Sequence, residues 1–304
     1  IELKREYITN ANMVTGDKYN RLQRCISSEN RLASLDEDLN LPQYLYPTMD
    51  DGNFNTKIAS KKEFYDNRYE EHTDEDFQNI KNIAQRLCDN TEFELAPHQM
   101  FVKNFMSFET PYNGLLLYHG LGTGKTCSAI SVCEEMRTYL KKMGNLKKII
   151  IVASSSVQEN FQIQLFNEHK LKLVNGLWNI KACTGNNFIK EINPMNMKGL
   201  DRERVIKQIK RIIRHAYDFK GYVEFSNNIE QVMNKKVLKT DDDDTIQRKQ
   251  ARALNKEFSN RMLVIDEVHN LRMTDNGKVK PSSNNILKLA KYSDNLKILI
   301  LSIF

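Results

Sequence analysis

Apolar residues come in short continuous runs along an otherwise polar chain. NGLLLY (113–118), KKIIIVA (147–153), NRMLVIDE (260–267) and LKILIL (296–301) are unbroken rather than alternating. That is the pattern of parallel strands buried on both faces. The first run leads into KTCSAISVCEEMRTYLKKMG (125–144), where Ala129, Ile130, Cys133, Met136 and Leu140 share one helical face. Lys141 and Lys142 suit the end of that helix and Gly144 stops it. After the second run a helix is expected from Ser156, with Glu159 three residues on completing a capping box. Strand, helix, strand, helix in this rhythm predicts an α/β fold with a parallel sheet, its ligands held at the carboxyl ends of the strands.

The rhythm divides the chain. Residues 1–94 are polar and weakly periodic and read as an accessory region, with one helix expected over 74–88 from Phe77, Ile80, Ile83, Ala84 and Leu87. Residues 95–304 carry the α/β pattern, interrupted over about 186–258 by what reads as an insertion. Inside it, 204–219 reads as one amphipathic helix, with Val205, Ile209, Ile212, Ile213 and Ala216 on one side. Lys207, Lys210, Arg211 and Arg214 crowd the other side, as a phosphate track or a solvated face. The acidic run TDDDDT (240–245) is expected to be a mobile loop. Both ends read as cut: the chain starts at Ile1 and stops just past a buried strand, as a piece of a longer protein would.

Composition narrows the classes. No apolar run approaches the ~18 residues of a membrane span, so no membrane partner is expected. Cys25, Cys88, Cys127, Cys133 and Cys183 are scattered and odd in number, and they form no metal-like cluster with the six histidines. A reducing compartment is the expectation. A formal charge of +6 permits a polyanionic partner without requiring one.

The chemistry is densest in LLLYHGLGTGKT (115–126). The usual phosphate loop reads G-x-x-x-x-G-K-[ST], and here His119 stands where the first glycine belongs. Gly120 supplies flexibility one residue later. Gly122, Thr123, Gly124, Lys125 and Thr126 hold the phosphate-contacting part: close backbone approach, a lysine for the β and γ oxygens, and a hydroxyl for magnesium. MLVIDEVH (262–269) places Asp266 and Glu267 at the end of an apolar strand. In a phosphate-loop fold the first acid holds Mg2+ through water, and the second orients or deprotonates the attacking water. Together the two motifs predict a domain that binds a nucleoside triphosphate with Mg2+.

With His269, the second motif reads D-E-V-H, and the chain resembles superfamily 2 helicases and translocases, whose motor is a pair of RecA-like lobes. LAPHQMFVKNFM (95–106) resembles the segment ahead of the phosphate loop in that superfamily, and this implies that the nucleotide is ATP and that Gln99 reads the adenine edge. YLYPTMDDGNFNTKIASKKEF (44–64) resembles the helicase-like ATPases of nucleocytoplasmic large DNA viruses, the group that contains the poxvirus early transcription factor ATPase subunit. The resemblance implies a first RecA-like lobe, with the second lobe and its transition-state arginines outside the chain. It also implies that loops after the strands touch a nucleic-acid backbone: Ser154, Ser155 and Ser156 after the second strand, and Thr184 in CTGNN (183–187). Ser156 serves as a helix cap, as such a contact, or as both. The third motif, normally Ser-Ala-Thr, is matched by Ser302 followed by Ile303 and Phe304.

The expected function is the ATP-binding half of a DNA- or RNA-dependent ATPase serving viral transcription or replication. Its implied partners are nucleic acid and a viral RNA polymerase or transcription factor subunit, in a cytoplasmic viral factory or the virion. The alternative is a nucleotide-binding assembly factor that recruits polymerase without hydrolysis. The intact Lys125, Thr126, Asp266 and Glu267 argue against that, and D-E-V-H with Gln99 argues against a small-molecule kinase.

Overall fold

The computed structural model describes residues 46–69, 94–118, 120, 122–238, 240–271 and 281–302. The helix expected over 74–88, His119, Cys25, Cys88, Ile303 and Phe304 lie outside them. The chain forms two compact units, Ile1–Lys61 and Lys62–Phe304. In the first, Asp51 opens helix α1 (Phe54–Ser60) by accepting from the Asn53 amide at 2.9 Å and the Lys57 ammonium at 2.6 Å.

The second unit is built on five parallel strands: β1 (Gly114–Tyr118), β2 (Ile149–Val152), β5 (Tyr217–Lys220), β6 (Met262–Ile265) and β7 (Lys297–Ser302). Their order is β1-β7-β6-β2-β5. All four runs read as strands from sequence are in this sheet. A separate antiparallel hairpin joins β3 (Leu171–Val174) to β4 (Leu177–Ile180). Its turn is Asn175-Gly176, both at positive φ (53° and 81°), the tight hairpin turn that Asn-Gly favours.

Helices cover both faces. On one, Ile150, Val152, Leu263 and Ile265 pack with helices α8 (Tyr222–Asn234), α9 (Asp243–Phe258) and α10 (Pro281–Tyr292) through Phe225, Ile229, Leu254, Phe258 and Leu289. Against the other lies α4 (Lys125–Lys142), with Ala129, Ile130, Cys133 and Met136 buried, and α3 (Pro97–Phe105) packs on α4. Helix α2 (Lys62–Tyr65) packs on α3, where Phe64 meets Phe101 and Asn104 donates to the Glu63 carbonyl at 2.7 Å. A satellite core joins the hairpin to α6 (Asn187–Ile192) and α7 (Arg202–Ala216) through Leu171, Ile180, Phe188, Val205 and Ile209. The unit is the parallel α/β fold that the strand–helix rhythm predicts, and it is consistent with the RecA-like phosphate-loop domain that the resemblance implies.

Three local expectations are corrected. Helix α5 (Ser155–Leu165) starts one residue before Ser156 and takes Ser154 as its N-cap, so Glu159 falls out of the capping-box position. The helix expected over 204–219 ends at Ala216, because Tyr217–Lys220 turns out as β5 beside β2. Tyr217 is anchored there by its hydroxyl, which donates to the buried Glu134 carboxylate at 2.6 Å. The acidic run is not a loose loop: Asp242 stands at the N-cap position of α9, and Asp243 and Asp244 lie in its first turn, where the helix dipole favours negative charge. Asp241 meanwhile holds Lys249 at 2.7 Å.

Candidate functional site

Parallel pairing brings the chemical residues to one edge. Tyr118 aligns with Ser302, Ile265 with Ile300, and Val152 with both Ile265 and Lys220. The phosphate-loop residues follow β1, Asp266 follows β6 and Ser154 lies just beyond β2, so all three segments leave the carboxyl edge of the sheet.

The loop has the backbone its glycines allow. Gly122 sits at φ 81° with open space where a Cβ would lie. Gly124 sits at φ 79° as the N-cap of α4 with no side-chain cap, which leaves the first-turn amides of that helix to an anion. The Thr123 hydroxyl donates to the Gly120 carbonyl at 3.0 Å, and the Lys125 ammonium reaches the same carbonyl at 3.2 Å. Thr126 is half-buried in the first turn.

Helix α3 grips this loop from outside. Gln99 is buried, accepting from the Ala96 amide at 3.0 Å and donating to the Gly124 carbonyl at 3.2 Å. A Cβ on Gly124 would run into the Gln99 amide nitrogen. Those bonds leave one donor hydrogen and one lone pair on the Gln99 amide for a further partner. His98, which the sequence reading did not single out, reaches the Thr123 carbonyl at 3.0 Å through Nε2. Its Nδ1 lies 2.6 Å from the Tyr69 hydroxyl.

Across the edge, Asp266 is buried and accepts from the Glu267 amide at 2.9 Å. Burial, the largest influence, raises the pKa of its carboxyl; the Glu267 amide bond, Lys125 and His269 pull the other way. The Tyr222 hydroxyl donates to the Asp266 carbonyl at 2.6 Å, fixing the segment from the α8 side. Glu267 stands at φ 47°, a left-handed conformation that costs a non-glycine residue roughly 1–2 kcal/mol. Such backbone strain concentrates at functional sites. Its carboxylate lies 3.2 Å from His269 Nδ1. Uncapped amides, a lysine spanning the loop, a hydroxyl and a carboxylate pair fit a nucleotide phosphate with a divalent cation.

The strand-end residues divide. Ser154, Ser155 and Ser156 are exposed at the start of α5, with no side-chain cap bond. Thr184 is 3% exposed, and its hydroxyl donates inward to the Leu165 carbonyl at 3.1 Å. Lys207, Lys210, Arg211 and Arg214 are exposed on α7, with Lys210 paired to Glu168 at 2.7 Å. Cys127 and Cys183 form a disulfide, a pairing their spacing does not announce, tying the first turn of α4 to the residue before Thr184. Among the described residues, no helix is long and apolar enough to cross a membrane.

Comparison with known proteins finds no matching family model and no matching solved structure. It does find similar sequences among helicases of large DNA viruses. A protein of Acanthamoeba polyphaga mimivirus named "Putative ATP-dependent RNA helicase" is 25% identical over 300 residues, 94% of this chain and 24% of its own length. A second mimivirus protein of the same name is 25% identical over 263 residues, 84% of this chain and 36% of its own. A "Putative helicase" of Invertebrate iridescent virus 3 is 26% identical over 246 residues, 75% and 21% respectively. This chain thus spans between about a fifth and about a third of the length of these curated relatives.

Proposed function

We propose that this chain is the ATP-binding half of a nucleic-acid-dependent ATPase of the DExH type, a viral helicase or translocase. The observation that carries the reading is the convergence at one sheet edge of Gly122–Thr126 and Asp266–Glu267. The names of the viral relatives support it from outside the site. A bound Mg2+–ATP supplies the γ-phosphoryl group to be cleaved and the charge neutralisation its cleavage needs. Gly122, Thr123, Gly124 and Lys125 hold the phosphates with Gly120 at the loop entry, Thr126 and Asp266 hold the metal, and Gln99 reads the base. Glu267 holds the attacking water and takes its proton. Ser154 and Ser155 are the strand contacts we favour; Thr184 acts only through the backbone around it, since its hydroxyl is committed inward. The partners are DNA or RNA and a viral polymerase or transcription factor subunit, in a cytoplasmic viral factory or virion.

The relatives' greater length leaves room for a second lobe supplying the transition-state arginines. This chain is therefore expected to bind Mg2+–ATP and hydrolyse it slowly, with little response to nucleic acid. Steady-state phosphate release with and without single-stranded DNA and RNA tests this. Vigorous stimulated turnover, abolished by Glu267→Gln, would contradict the half-motor reading.

A further inference from the structure

We propose that His98 is a positioning residue that aims the phosphate-binding amides, with Tyr69 setting its tautomer. The inference rests on the nucleotide-site reading and deepens it. Two consecutive residues at the start of α3 take two consecutive carbonyls of the loop: His98 holds that of Thr123 at 3.0 Å and Gln99 holds that of Gly124 at 3.2 Å. No described peptide is cis. A trans peptide places its C=O and N–H on opposite edges of one plane. Fixing the Thr123 oxygen toward α3 therefore turns the Gly124 N–H away from α3, and fixing the Gly124 oxygen does the same for the Lys125 N–H. These are the amides that a phosphate on the uncapped α4 terminus would meet.

A carbonyl accepts, so His98 Nε2 must carry its proton, and in the neutral ring Nδ1 is then the acceptor. The Tyr69 hydroxyl, 2.6 Å from Nδ1, is the donor that selects this tautomer. The chain runs from the Tyr69 O–H to His98 Nδ1, and from the Nε2–H to the Thr123 oxygen. Glycine at position 124 is required twice, for its φ of 79° and for the approach of Gln99. The loop is thus clamped from the side facing away from its ligand, and preorganised donors do not have to be reoriented when the anion arrives.

Competition by ATP and by inorganic tripolyphosphate against a fluorescent ATP analogue tests the idea, because tripolyphosphate engages the loop without a base. His98→Ala is expected to weaken both competitors by the same factor, about tenfold, the scale of one lost hydrogen bond that matters. His98→Gln, which restores an N–H donor at similar reach, is expected to recover most of that loss. Tyr69→Phe is expected to fall between wild type and His98→Ala. Thermal melting of each variant reports whether the fold is intact. Unchanged tripolyphosphate competition in a folded His98→Ala protein would overturn the proposal, as would a loss confined to ATP or a His98→Gln variant no better than alanine. If the wild-type chain bound neither competitor, the nucleotide-site reading itself would fail, which is a different result.

Discussion

Asp266 is held where its charge is costly. Burial raises its pKa above the ordinary aspartate value. A carboxyl whose native pKa lies above its unfolded value destabilises the fold when ionised, and that cost is relieved as pH falls through the raised native value. Asp266→Asn is therefore expected to raise the melting temperature at neutral pH while reducing Mg2+-dependent nucleotide binding. Wild-type Mg2+-dependent binding should also fade at a higher pH on acidification than an ordinary carboxylate would allow, because the metal needs the ionised form. A variant that melts lower and binds normally would contradict both roles. The placement of single residues was unevenly legible. Lys125, Asp266 and Glu267 stand out in sequence because motif and strand end coincide. The grip of His98 on Thr123, and the inward turn of the Thr184 hydroxyl, depend on how distant segments pack and leave no periodic trace.

Among the elements, α4 joins the phosphate loop to the buried interior. Its first turn follows directly from the phosphate loop at Gly124, and its middle holds a buried charge network. Glu134 receives Arg137 at 2.8 Å and the Tyr217 hydroxyl, while Arg137 also reaches Glu191 on α6 at 2.7 Å. Removing one member of such a network leaves an uncompensated buried charge. The Cys127–Cys183 bridge closes a loop of sequence separation 56 around the same helix. In the chain-entropy account, a bridge of that span contributes about 4 kcal/mol. Adding a dithiol reductant is expected to lower the melting temperature of the wild type and leave that of a Cys127→Ser variant unchanged. Full alkylation of Cys127 and Cys183 without reductant would show that the thiols stand apart. The strands of the sheet were legible as apolar runs, except β5, whose YDFK has two polar residues and follows directly from a strongly periodic helix. The acidic run misleads for a related reason: composition says solvated, whereas position at a helix start makes the same charges stabilising.

At the scale of the molecule, a five-stranded parallel sheet presents the phosphate-loop residues, Asp266, the serine terminus of α5 and Ser302 at a single edge. The proposed motor would draw on that arrangement, since phosphate chemistry and strand contact would share rigid elements. The overall α/β layout was legible because buried parallel strands and amphipathic helices have distinct periods. The satellite core around the β3–β4 hairpin was less so, although Asn175-Gly176 is a strong hairpin signal. Every step of the account depends on Lys125 and its loop holding a nucleotide. Calorimetric titration of Mg2+–ATP into the wild type and Lys125→Ala, with circular dichroism to establish an unchanged fold, measures that directly. The expected result is saturable binding weakened about 10- to 100-fold by the substitution, the scale of lost hydrogen bonds to a charged group. Equal affinity in the two proteins would contradict it.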